Sequence, residues 1–168
     1  KPVYELLGGL IHPRLRTYTY LYPETSHQDR LYNYPENAEE KNVYTDPDLA
    51  AEAAAKYATQ GFTALKFDPV GPYSVYDPRM LSLESMDRAE RFVRQIRDAV
   101  GSRCDLLFGT HGQMTAESAI RLAKKIEPYD PLWFEEPVPP ENLEAMKKVA
   151  QATSIPVATG ERLATKYE

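Results

Sequence analysis

Cysteine is nearly absent: Cys104 is the only one in 168 residues. A single thiol excludes an internal disulfide framework and any cysteine-rich zinc site. It stands at the head of an apolar run, where a buried structural thiol is the plain reading and a reactive one the alternative. Clusters of basic residues are missing too, and the formal net charge is −5. Nucleic acids and anionic membranes are recognised by a basic face, so neither is expected as a partner. Anionic small molecules stay open, because a bound metal inverts the local charge. No apolar run is long enough to cross a bilayer and no signal peptide is visible, which predicts a cytoplasmic protein. Also lacking is a glycine-rich phosphate turn after the first strand, the usual mark of a doubly wound nucleotide-binding sheet.

What is present is an ordinary globular composition, 42% hydrophobic and 27% charged, in a length that suits one domain. Five short apolar runs read as buried strands: Thr17–Leu21, Ala64–Phe67, Asp105–Phe108, Leu132–Glu135 and Pro156–Thr159. Four helical patterns alternate with them. The first is predicted from Pro47 to Gln60, capped by Asp46 and stopped by Gly61. The second runs from Leu83 to Val100 behind Ser82, with Leu83, Met86, Ala89, Phe92, Val93, Ile96 and Val100 on one apolar face. A third starts near Thr115, turns Ile120, Ala123 and Ile126 inward, and ends before Pro128. The fourth is predicted to open at Pro139-Pro140 and to carry Leu143, Met146 and Val149.

Strand alternating with helix is the pattern of parallel βαβ units. The later units repeat at about the 30-residue spacing of a (β/α) TIM-type barrel. Five strands cannot close an eight-stranded barrel, so the expected fold is α/β, the first five strands of a partial barrel. Either the sequence is a fragment or the missing half comes from elsewhere, and an open half-barrel would offer an apolar strand edge for pairing. The division predicted is a linker over 1–16 entering the barrel at 17–168. Two stretches after strand ends, Tyr22–Tyr44 and Pro69–Leu81, are rich in Tyr, Pro, Asn and Asp. In a barrel these are βα loops, which either cover a substrate or simply form surface.

Chemistry-bearing residues stand at the C-terminal ends of the runs. The fourth ends in Glu135-Glu136-Pro137 and the fifth in Gly160-Glu161-Arg162. Carboxylates on neighbouring strand ends converge in a barrel mouth and suit Mg²⁺, although a single such Glu can equally serve an ion pair. His111, one of three histidines, follows the third run and is a candidate for proton transfer or ligation, or a structural residue. Lys66 and Asp68 share one side of the second run by alternation. Lys66 could act as a base, bind an oxyanion, or form a salt bridge to Asp68 or to a neighbour on the ring.

These residues resemble the mandelate racemase branch of the enolase superfamily. The opening Pro2-Val3-Tyr4-Glu5-Leu6-Leu7-Gly8-Gly9 looks like the entry from that family's capping domain into its barrel. Trp133-Phe134-Glu135-Glu136-Pro137 is similar to the fourth-strand motif, and Ile155-Pro156-Val157-Ala158-Thr159-Gly160-Glu161 to the fifth. The resemblance implies Glu135 and Glu161 as Mg²⁺ ligands. Acid-sugar dehydratases of the branch end the third strand in Asp-x-His, and here Gly109-Thr110-His111 keeps the His and lacks the Asp. His111 is then a catalytic base or acid, with Lys66 as a second catalytic residue. Asp68, Glu136, Arg162 and His27 are possible substitute ligands or substrate contacts. The activity that the resemblance implies is that of an Mg²⁺-dependent acid-sugar dehydratase, acting on a small-molecule acid sugar and forming a homo-oligomer at full length. A cycloisomerase or racemase of the same superfamily is the alternative. An incomplete fragment or binding protein is a further one. In this family a His and Asp pair on later strands supplies the opposing base or acid.

Overall fold

The computed structural model describes residues 1–22, 41–71 and 79–167. A four-residue helix, α1 (Val3–Leu6), opens the chain within an N-terminal segment that is exposed up to Tyr18. Then come β1 (Thr19–Tyr20), α2 (Pro47–Thr59), β2 (Ala64–Phe67), α3 (Leu83–Val100), β3 (Asp105–Gly109), α4 (Ala116–Ile126), β4 (Trp133–Glu135), α5 (Leu143–Ala152) and β5 (Val157–Ala158). The strands pair in parallel in the order β1-β2-β3-β4-β5. Successive parallel neighbours joined by helices are five consecutive staves of a (β/α) barrel wall. Among the described residues no helix is long and apolar enough to cross a membrane.

Local sequence sets the helix boundaries. Asp46 accepts a hydrogen bond from the Asp48 amide at 2.9 Å, with Pro47 in the first turn. Ser82 and Thr115 do the same for the amides of Ser85 and Ser118. Each cap satisfies a donor that the first helical turn leaves without a partner. Gly61 follows α2 with φ +100° and Gly101 ends α3 with φ +56°, both in the left-handed region that a side chain would strain.

The strands β1, β4 and β5 are shorter than their predicted runs, and one helix start and the burial of two leucines differ from expectation. The fourth helix begins three residues after Pro139-Pro140, because Asn142 is its cap and accepts from the Ala145 amide at 3.0 Å. Leu83 and Leu143, expected on inward faces, are 66% and 70% exposed. Both are first residues of their helices, and helical side chains lean toward the N-terminus, so these two overhang the core instead of entering it.

Packing divides along the strands with period two. Leu65, Phe67, Leu106, Phe108 and Phe134 join Phe92, Val93, Ile96, Leu122 and Ile126 of the helices in one core. Phe67 and Phe108 meet edge to face, with centroids 4.9 Å apart. The opposite side of the strands carries Lys66 beside Leu107 and Trp133, and Gly109 beside Glu135. That second face is the barrel interior, and its polar end is where the candidate site lies. Cys104 is buried at the other end, its thiol donating to the Phe62 carbonyl at 3.1 Å. Burial pushes that thiol's pKa up, as befits a structural residue.

Candidate active site

Parallel register brings the strand ends level. Gly109 is in register with Glu135, and Glu135 with Ala158. Lys66 reaches across from β2, placing Nζ 2.6 Å from Glu135 Oε2. The indole N–H of Trp133 donates to the same oxygen at 3.1 Å. Tyr18 stands edge-on to Trp133, and its ring lies 5.7 Å below the Lys66 ammonium. Both charges are nearly buried, so each depends on the other to offset lost hydration. Of the roles open to Lys66, the geometry displays the ion pair with a neighbour on the ring.

Lys66 has room for this path because residue 109 is glycine. A Cβ at Gly109 would lie 2.6 Å from Lys66 Cε. The place from which a third-strand carboxylate would project is thus taken up by the lysine stem.

His111 sits two residues past the end of β3 with φ +53°, an unusual conformation for a residue with a side chain. Glu136 at the end of β4 has φ +44°. The two turns interlock. The Thr110 amide bonds to the Glu135 carbonyl at 3.0 Å and the Gly112 amide to the Glu136 carbonyl at 2.7 Å. The Thr110 hydroxyl lies 3.0 Å from both of those carbonyls. Arg162, from beyond β5, crosses over Gly112, where a Cβ would fall 2.5 Å from its Nη2. It donates to the His111 carbonyl at 3.0 Å and to Glu136 Oε2 at 2.8 Å. Glu136 is 1% exposed and its Oε1 has no hydrogen-bond partner among the described residues. The Glu136–Arg162 pair therefore fastens three strand ends together.

Asp68 faces the same end of the sheet. Its Oδ1 accepts from the Val70 amide at 2.8 Å and its Oδ2 from Gln113 Nε2 at 2.6 Å. His111 Nδ1 stands 3.4 Å from Oδ2, a charge-pairing distance longer than a usual N–H···O bond. Asp68 raises the His111 pKa above its ordinary value of 6.5. Burial works against the shift, Glu161 adds to it and Lys66 opposes it. Glu161 lies exposed at the end of β5. His27 lies outside the described residues.

Among the described residues no three His, Cys, Asp or Glu side chains form a group able to hold a metal. Glu135 and Glu161 offer two hard oxygen donors from the ends of adjacent strands. Mg²⁺ keeps several of its waters and is commonly held by one or two carboxylates, so the chemistry of this donor set suits that ion. It does not fit a site of three strand-end carboxylates.

Gln113 and Trp133 belong to this constellation without having been singled out from the sequence. Trp133 had a readable signal, since alternation places it on the same side as Glu135. Gln113 had none, because its bond to Asp68 closes a separation of 45 residues through irregular backbone.

Comparison with known proteins agrees with this architecture. The profile of the enolase C-terminal domain-like family matches residues 48–168. A D-gluconate dehydratase from Thermoproteus tenax is 35% identical over 167 residues, covering 99% of this chain and 29% of that protein. A D-xylonate dehydratase from Haloferax volcanii is 34% identical, covering 99% of this chain and 37% of its own length. The chain therefore spans about a third of these relatives. Among solved structures, a mandelate racemase/muconate lactonizing enzyme from Jannaschia sp. CCS1 superposes with a TM-score of 0.82 at 52% identity, covering 97% of this chain and 39% of that one. With its parallel strand order, its strand-end acids and these likenesses, the chain belongs to the enolase C-terminal domain-like family, in the mandelate racemase/muconate lactonizing enzyme branch.

Proposed function

We propose that the intact protein is an acid-sugar dehydratase, which removes the proton α to a sugar acid's carboxylate and expels the β-hydroxyl as water. The observation that carries this reading is the grouping of Lys66, Glu135 and an Asp68-backed His111 at one end of the sheet. The relatives named for D-gluconate, D-xylonate and D-galactonate dehydration support a polyhydroxy carboxylate as substrate. Glu135 and Glu161 would hold Mg²⁺, which when bound supplies positive charge against the substrate's carboxylate.

Lys66 adds an ammonium beside that carboxylate and binds one of its oxygens. His111 favours its protonated form because of Asp68, which suits it to donate rather than to accept. Its proton goes to the departing β-hydroxyl, the C–O bond breaks with its electron pair leaving as water, and the resulting enol becomes a 2-keto-3-deoxy acid. The α-proton passes to an opposing base, which the resemblance assigns to later strands of the family's barrel.

Incubating the intact protein with Mg²⁺ and D-gluconate, D-xylonate or D-galactonate tests this directly. The expected product is the 2-keto-3-deoxy acid, seen as loss of one water by mass spectrometry. Inverted sugar acid with no water lost would replace dehydration by racemisation. No change in any sugar acid across a broad panel would overturn the reading.

A further inference from the structure

We infer that Asp68 and Gln113 are positioning residues that hold the His111 imidazole by its Nδ1 edge and so set the direction in which the ring meets the substrate. This role rests on the reading of His111 as the proton donor. It departs from the expectation that Asp68 is a ligand or a substrate contact.

Asp68 is 7% exposed and both of its oxygens are engaged. Oδ1 is held by the Val70 amide, and Oδ2 by Gln113 with His111 Nδ1 alongside. A carboxylate with its oxygens committed in this way has little left to offer a metal or a sugar. Gln113, 5% exposed, is itself immobilised along its backbone. Its amide donates to the Thr110 carbonyl at 3.2 Å, and its carbonyl accepts from the Arg79 amide at 3.0 Å. The side-chain amide is thereby aimed at Asp68 by two neighbouring segments. A buried carboxylate needs hydrogen bonds in place of water, and the Gln113 side chain and the Val70 amide supply them.

The imidazole is fixed from the other side by its own backbone. His111 is held in its left-handed conformation by the interlocked turns and by Arg162 on its carbonyl. With the main chain locked, ring rotation is the remaining freedom, and Asp68 opposes it. The 3.4 Å separation is of the kind that shortens when a substrate closes the site. Among the described residues, the charges that act on the imidazole include Lys66 from β2, Asp68 just past it and Glu161 from beyond β5. Arg162 reaches only the carbonyl, and its charge is matched by Glu136.

The test uses the intact protein with Asp68→Asn, Asp68→Glu and Gln113→Leu. Two readouts are taken: NMR titration of the His111 ring, assigned by the loss of its signal in His111→Asn, and the separate values of kcat and KM. Asp68→Asn should return the His111 titration toward the ordinary histidine value of about 6.5. It should lower kcat about 100-fold, the usual cost of a misplaced catalytic group, with KM held within about twofold. Gln113→Leu should act in the same direction and less strongly, and Asp68→Glu should recover part of the loss. An unchanged His111 titration in both Asp68→Asn and Gln113→Leu would overturn the inference. So would a rise in KM at constant kcat, which would make Asp68 a substrate contact. Should Asp68→Asn fail to fold, Gln113→Leu keeps the charge and carries the test. If the intact protein dehydrates no sugar acid, the proposed function falls, while the NMR titration still decides the role of Asp68.

Discussion

The two ends of this sheet are built from the same strands and solve opposite problems. At the N-terminal end, hydrogen-bonding groups are matched generously. Arg97 alone donates to the carbonyls of Tyr129, Gly101, Cys104 and Asp130 at 2.8–3.0 Å. Glu127 gathers the Thr153 hydroxyl and the Ser154 amide at 2.6 Å each. Arg16 reaches Asp105 and both the hydroxyl and the carbonyl of Thr63. At the C-terminal end the backbone enters the left-handed region at His111 and Glu136, as it does once at the other end at Asp130, and buried charges face one another with an oxygen left over on Glu136. Such strain persists only where the surroundings impose it. Barrels in general separate stability and chemistry between their two faces.

Several substitutions would break or sharpen this contrast. The largest effect is expected from Glu135→Gln and Glu161→Gln in the intact protein. Each should cost about 10³-fold in Mg²⁺-dependent turnover, with calorimetry showing loss of Mg²⁺ binding. Full activity in either variant would remove that carboxylate from the site. Next comes Arg162→Ala, which strands a buried Glu136 carboxylate and should cost about 3–5 kcal/mol in urea unfolding. A loss below about 1 kcal/mol would mean that the pair does not fasten the strand ends. Arg97→Ala, at the opposite end, should cost about 2–3 kcal/mol by the same measurement. Its kcat should be unchanged, and a lowered kcat would blur the division between faces.

Gly109→Asp restores the carboxylate that the third strand lacks. The displaced atom is the far part of the flexible Lys66 stem, so the expected result is tighter Mg²⁺ binding by about tenfold, read by calorimetry. Weaker binding would show that Lys66 cannot leave its place.

The smallest effects are those of pH, and the two ends respond in opposite senses. His111 has a raised pKa, so its contribution is complete below the unfolded value and fades as pH rises through the folded one. Glu127 has a lowered pKa, caused chiefly by Thr153, so its contribution holds above the unfolded value and fades as pH falls through the folded one. Amide exchange at the two ends should separate accordingly, with the His111 turn loosening first in alkali and the Ser154 turn first in acid.

Most of the framework was legible because it is local. Asp46, Ser82 and Thr115 announce helices within three residues of where they act, and the apolar runs need only their own alternation. Leu83 and Leu143 misled because periodicity records a direction around the helix axis and says nothing of where the core ends along it. In the site, alternation already placed Lys66 and Asp68 together. Their partners Glu135, His111 and Gln113 come from other strands, and which charge meets which depends on register and on the space at Gly109. The positive φ of His111 is illegible too, since it is imposed by Glu136 and Arg162 from later in the chain.

Arg162 also bears on the order of assembly. The carbonyl it binds belongs to a residue 51 positions earlier. At ribosomal speeds of about 5–20 residues per second, that is a delay of roughly 3–10 seconds. Through this interval a nascent chain already holds His111, and through the second half of it Glu136 as well, but Arg162 is not yet there to fasten them. The His111 turn is therefore among the last of the described parts to set, whichever strands formed first.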